Sequence, residues 1–263
     1  MRFGKYGELK FIGHLDIMRY FQKCMRRAKV DIKYSGGYSP HQIMSFAQPL
    51  GLGVTSDGEY MDIEVNSTDT SEKMIERINA ANVENIRIYS YRLLPEKSKT
   101  GMAIIAAADY EIRFRYPEKL PFALKEVWPK FMAQDQILVE KKTKSGSKEV
   151  DIKPLIFEQH LMEDGIFVKL SCGSVVNLKP EVVMEALYAF AGAQLGPFDL
   201  LLHRKNLYTE QVYNDEADQT GAPEQNLDTS EATAQPVKHH FIALEDMGVD
   251  ILEPMTENTA ASE

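Results

Sequence analysis

His14-Leu15-Asp16-Ile17-Met18-Arg19-Tyr20-Phe21-Gln22-Lys23-Cys24-Met25-Arg26-Arg27-Ala28-Lys29 carries the pattern on which the fold turns. Leu15, Met18, Gln22, Met25 and Ala28 recur at helical spacing, and Phe21 and Cys24 widen the apolar face, so 14–29 is read as an amphipathic helix. Working outward, 3–12 is a strand candidate turned at Gly4 and Gly7, and 30–34 is a short strand. Gly36-Gly37-Tyr38-Ser39-Pro40 is a loop by its Gly and Pro punctuation. Strands at 43–50 and 59–65 follow, then a second helix to about 81 capped from the run 67–72, then a strand at 86–93. The order β-α-β-β-α-β is that of a ferredoxin-like sandwich.

The same order returns beyond a linker at 95–101. Tyr110, Ile112, Phe114 and Tyr116 alternate with Asp109, Glu111, Arg113 and Arg115, the period of a half-buried strand. A helix at 120–134, hairpins at 137–153 and 154–171, a helix at 181–193 opened by Pro180, and a strand at 198–204 complete the run. The expected fold is α+β: two ferredoxin-like halves at 1–95 and 96–213, the second with one inserted hairpin, then an acidic, mostly disordered tail at 214–263. Within that tail, 240–253 has Phe241, Leu244, Met247 and Ile251 on one helical face, which predicts a docking helix for a partner.

The net charge of −9 over 263 residues conceals an asymmetry. From Asn214 onward there are twelve acidic residues and one basic, Lys238, whereas 1–50 has nine basic residues against Glu8, Asp16 and Asp31. A basic front and an acidic end point to a polyanion partner or a self-shielding tail. The longest uncharged apolar run, 101–108, is far below the ~20 residues of a membrane helix, and no signal-peptide pattern opens the chain. Cys24 and Cys172 are too few for a disulfide framework or a Cys-rich metal site. A cytoplasmic protein with no cofactor or metal of its own is expected.

Arg19, Lys23, Arg26 and Arg27 fall at i, i+4, i+7 and i+8, a strip of cations suited to a phosphate backbone or to plain solvent. His14 and Asp16, two residues apart near a helix start, are candidates for acid–base work, with His41 a third. Tyr34 and Tyr38 in the Gly-rich loop are placed either to stack on bases or to pack on the sheet. Lys141, Lys142, Lys144, Lys148 and Lys153 form a second basic patch on a hairpin, suited to nucleic-acid contact or to blunting an exposed edge. Hydrolase, zinc-protease, nucleotide-triphosphate-loop and iron–sulfur signatures are missing.

Three ordered motifs in the first half meet a known pattern: Phe3-x-Lys5-x-Gly7-x-Leu9-Lys10-Phe11-Ile12-x-His14-Leu15-Asp16, then Arg26-Arg27-Ala28, then Tyr34-Ser35-x-Gly37-Tyr38-x-Pro40-His41 with Ser45-Phe46-Ala47. Lys144-x-Gly146-x-Lys148-x-Val150-Asp151-Ile152-Lys153-Pro154 and Asn177-Leu178-Lys179-Pro180-Glu181 extend it. The chain resembles the radical-SAM-linked family of bacterial proteins, a domain of unknown function fused to or encoded beside a radical-SAM protein. That resemblance implies a radical-SAM partner, which would carry the iron–sulfur cluster and S-adenosylmethionine, and a setting of tRNA or rRNA modification. Ser35, Gly37, Pro40, Ser45, Asp151 and Lys153 join the expected contact residues on this ground. An enzyme acting alone through His14, Asp16 and His41, and a protein scaffold without RNA binding, are the alternatives.

Overall fold

A computed structural model describes residues 1–143, 146–211 and 239–256. The first half runs β1 (Arg2–Lys5), α1 (His14–Arg27), β2 (Met44–Phe46), β3 (Thr55–Ile63), β4 (Ser67–Thr68), α2 (Ser71–Ala81), β5 (Ile86–Ser90) and β6 (Arg92–Leu93). The second runs α3 (Gly101–Ile104), β7 (Ile105–Phe114), α4 (Leu124–Met132), the hairpin β8 (Leu138–Thr143) and β9 (Gly146–Asp151), then β10 (Ile156–Leu161), β11 (Gly165–Ser171), α5 (Pro180–Phe190) and β12 (Leu200–Glu210). Three short strands close the described chain: β13 (Phe241–Ala243), β14 (Val249–Asp250) and β15 (Met255–Thr256).

The protein is α+β, with five helices and one mixed nine-stranded sheet in the order β10-β11-β7-β12-β3-β1-β5; β2 also pairs with β3, and β13 with β12. Every pairing in that sheet is antiparallel except β12 with β3, where His203 faces Thr55 and Arg204 faces Ser56. The two halves therefore share one sheet, joined through a short parallel seam.

Each half has its own core on the helix side. In the first, Phe3, Phe21 and Phe46 form a ring cluster with centroids 4.8 to 5.9 Å apart, under α1 and α2. In the second, Trp128 and Phe131 of α4 pack with Ile112, Ile166, Val168 and Leu187. The Trp128 indole donates to Gln159 at 2.6 Å, which satisfies its one polar atom. Full burial of each such apolar side chain contributes about 1.5–3 kcal/mol.

Several sequence expectations are corrected. The buried stripe of α1 is Ile17, Phe21, Cys24 and Met25, continued by Ala28, whereas Leu15 is exposed; the apolar face is rotated from the one that Leu15 and Met18 suggest. The strand expected over 3–12 ends at Lys5. Gly7, at φ +52°, turns the chain into a 3-10 turn over 7–11, and a Cβ there would meet the Asn85 side chain at 2.6 Å. The strand at 30–34 reduces to two isolated bridges, Ile32 to Val65 and Tyr34 to Gln42.

The docking helix at 240–253 does not form. That stretch is β13, a 3-10 turn over Leu244–Met247, and β14, and it folds back on its own chain rather than lying disordered. Leu244 enters the second core and Ile251 the first, so the apolar spacing serves a strap across both halves. Residues 212–238 and 257–263 of the expected tail lie outside the described residues, as does Lys144.

Candidate nucleic-acid interface

α1 begins at His14 after an N-cap glycine, Gly13, and its inner face is held by the first core, so the opposite face is left to solvent. Arg19, Lys23, Arg26 and Arg27 are all exposed there. Arg19 pairs with Asp16 at 3.1 Å, an exposed contact of little energetic weight. Arg27 leans the other way: its guanidinium donates twice to the Ala81 carbonyl, at 3.0 and 3.3 Å, and lies 5.8 Å over the Tyr20 ring. It thereby caps the end of α2, where unpaired carbonyls favour a cation.

The stem of the 34–41 loop is tied to α1 through Gln42. Gln42 is buried, and its amide donates to the Gln22 carbonyl of α1 and to the Tyr34 hydroxyl, both at 3.3 Å. Arg26 Nε donates to that same Gln22 carbonyl at 3.3 Å. Tyr34, Gln42, Gln22 and Arg26 are thus contiguous, and the loop flanks the cation strip. Within the loop, Gly37 adopts φ +97°, Ser35 Oγ lies 2.8 Å from His41 Nδ1, and the Ser35 backbone N–H donates to the His41 carbonyl at 2.8 Å. Tyr34 is half-exposed, Pro40 is exposed, and Tyr38 stands wholly in solvent. An exposed aromatic beside cations on a closed loop is the chemistry of a base-stacking and phosphate-contact surface. Ser45 sits on β2, paired with Asp62 of β3, half-buried beneath this loop's stem.

His14, Asp16 and His41 each have separate partners. His14 packs edge-on against Phe46 at 5.2 Å, Asp16 holds Arg19, and His41 holds Ser35. The basic hairpin lies in the second half, where Lys141 and Lys148 face one another across β8 and β9. Asp151 and Lys153 are tied up at its base. Asp151 Oδ1 accepts from the Ile137 and Lys153 backbone N–H groups at 2.9 and 3.0 Å, and the Lys153 ammonium donates to the Gln134 carbonyl.

A polar cluster that no sequence motif marks lies at the seam, on the face opposite the helices. Asp57 of β3 accepts from Tyr6 at 2.6 Å, from Lys205 at 2.7 Å and from His203 Nε2 at 3.0 Å, and Tyr6 meets the Tyr89 hydroxyl at 2.5 Å. Burial pushes the Asp57 carboxyl up, but the bonds from Lys205, Tyr6 and His203 outweigh it and hold the group well below the usual carboxylate range. Burial and the Asp57 acceptor together push the Tyr6 phenol far up, so it stays a donor. The partners come from β3, β5, β12 and the residue just after β1, and the two ends of the cluster are almost 200 residues apart in sequence, so alternation alone gave no signal. Among the described residues no group of three His, Cys, Asp or Glu side chains is placed to hold a metal ion, and no helix is long and apolar enough to cross a membrane.

The model of a family of uncharacterised proteins conserved in bacteria, DUF2344, matches residues 1–180, from the first strand to the start of α5. No curated protein matches the chain.

Proposed function

The chain belongs to the DUF2344 family, and from that premise we propose that it is an RNA-binding, substrate-presenting partner of a radical-SAM enzyme acting in tRNA or rRNA modification. The observation that carries this reading is the convergence of the α1 cations and the tyrosine-bearing loop at the Gln22 carbonyl. Arg19, Lys23 and Arg26 would follow the phosphate backbone, and Tyr34 and Tyr38 would stack on unpaired bases. The radical-SAM partner rests on the motif resemblance, and that partner would bring the iron–sulfur cluster and S-adenosylmethionine. We read each half as a ferredoxin-like unit; the strand orders β5-β1-β3-β2 and β12-β7-β11-β10 support it.

The test is binding of the full chain to total tRNA across a salt series. The full chain is the right object because residues 239–256 pack into both cores. Affinity should fall steeply with salt, and Lys23→Gln with Arg26→Gln should lower the log–log slope by about 0.7–0.9 per lost phosphate contact. An unchanged slope removes the α1 strip from the interface, and no binding at low salt sinks the RNA reading.

A further inference from the structure

A groove of about 1020 Å³ runs between the halves, just ahead of α1. One wall is Lys10 and Phe11, at the end of the 3-10 turn, with Leu52 beside them. The other is Arg115 and Tyr116, following β7, and the turn 196–199 that leads into β12. Three aromatic rings line it and remain open to solvent: Phe11 is 62 % exposed, Tyr116 49 % and Phe198 79 %. Scattered exposed apolar residues are ordinary, but three rings along one concavity form a patch.

Phe198 is held there against its own preferences. It sits at φ +67°, a region that bulky side chains avoid. The turn is braced on both sides: Arg115 Nε donates to the Phe198 carbonyl at 2.8 Å, the Arg115 backbone N–H donates to the Asp199 carbonyl at 2.7 Å, and Asp199 Oδ2 accepts from the Gly196 N–H at 2.8 Å. Backbone strain of this kind persists only where the surroundings over-determine it, and it gathers at ligand clamps. Here it leaves Phe198 79 % exposed, so the contact that it serves lies outside the described residues.

The charges beside the rings say what that contact is. Lys10 Nζ lies 5.2 Å from the Phe11 ring, Lys119 Nζ lies 4.5 Å from the Tyr116 ring, and Arg115 is bonded to the Phe198 carbonyl. Phe11 and Tyr116 thus each have a cation over the ring, and Arg115 stands at the backbone of Phe198. On the α5 side, Glu181 and Glu185 line the groove one helical turn apart, and neither has a hydrogen-bond or ion-pair partner among the described residues. Rings accept base faces, cations accept phosphates, and carboxylates accept the N–H donors of base edges while turning phosphates away. Stacked base pairs offer no free faces to such rings, and an apolar protein ridge has no use for the cations Lys10 and Arg115.

We propose that this groove binds unpaired nucleotides of single-stranded RNA, with bases stacked on Phe11, Phe198 and Tyr116 and the backbone along Lys10 and Arg115, the cations that line it. This rests on the RNA-binding reading and adds a second, base-holding site to the phosphate-tracking surface of α1.

The experiment titrates the full chain with a fluorescent oligouridylate of roughly 12 nucleotides, within the usual span of single-strand sites, and with total tRNA. Phe198→Gly removes the ring and suits the left-handed backbone, so it should fold at least as well as the parent; Phe11→Ala is the second variant, and thermal melting checks both. Each should weaken oligouridylate binding about 5- to 100-fold, the loss expected for one stacked base, with the salt slope on tRNA unchanged. If both variants bind the oligomer like the parent while the Lys23/Arg26 variant loses its tRNA slope, the groove proposal is overturned and the RNA reading stands. If neither RNA binds the parent chain, both fall.

Discussion

Arg204 of β12 grips Glu59 of β3 at two points, Nε to Oε1 at 2.8 Å and Nη2 to Oε2 at 2.5 Å, with both side chains buried. The pair crosses the seam between the halves. Arg204 also donates to the Gln48 carbonyl at 3.0 Å. Lys5, equally buried, donates to the Ile12 carbonyl at 2.8 Å and feels the Glu59 charge, which partly offsets the burial that depresses its ammonium pKa. One anion thus serves two cations. Glu59→Leu should destabilise the chain by about 3–5 kcal/mol, because it leaves buried charge uncompensated. Adding Arg204→Met should recover part of that loss, and urea midpoints of the single and double variants measure the coupling.

The Asp57 cluster predicts an acid-side signature. Its carboxyl titrates below the ordinary value of 3.8, so the unfolded chain binds the proton first as pH falls. The stability that it supplies is present above about pH 3.8 and is lost as the pH drops toward the folded-state value. Asp57→Asn should cost about 1–2 kcal/mol at neutral pH, since the site is partly exposed. The same variant should flatten the acid arm of a stability–pH curve; an acid arm as steep as the parent's would assign it to other carboxylates.

Both thiols should be inert in the folded protein. Burial pushes Cys172 up to about 11 and raises Cys24, whose Sγ lies 3.1 Å from Asn82 Oδ1. The reactive thiolate is therefore scarce at pH 8. Iodoacetamide should modify neither cysteine in the native chain and both in denaturant, which intact-mass measurement distinguishes directly.

The strap is fastened to the first half by a reciprocal contact. The Ser71 N–H donates to the Ile251 carbonyl at 2.9 Å, and the Ile251 N–H donates to Ser71 Oγ at 2.8 Å, while that hydroxyl donates to the Tyr91 carbonyl. Ser71→Ala leaves a buried N–H without its acceptor and should cost about 1–3 kcal/mol. Limited proteolysis should then cut at 239–256 before the rest of the chain, since local release precedes global unfolding.

Much of the fold was legible because its signals are local. The alternation from Tyr110 to Tyr116 placed β7, the apolar stripe marked α1, and Thr70, whose Oγ1 accepts from the Lys73 N–H, began α2 within the expected capping run. What stayed hidden depends on distant partners. Leu244 and Ile251 recur at a spacing that a free helix would use, and only the two cores waiting for them make that stretch a strap. The cation strip and the tyrosine loop were each visible, but the side chain that joins them, Gln42, is a polar residue in a segment whose burial nothing local announces. The Asp57 cluster and the ring-lined groove are assembled from residues more than 100 apart, and no periodicity encodes them.

The contact between Ser71 and Ile251 spans 180 residues and has a consequence for synthesis. At about 5–20 residues per second, roughly 10–35 s separate the emergence of Ser71 from that of its partner. Through that interval α1, its cations and the groove-side Phe11 have left the ribosome, while the seat of the strap stands open. The nascent chain therefore offers its candidate RNA-facing surface before its last fastening is in place.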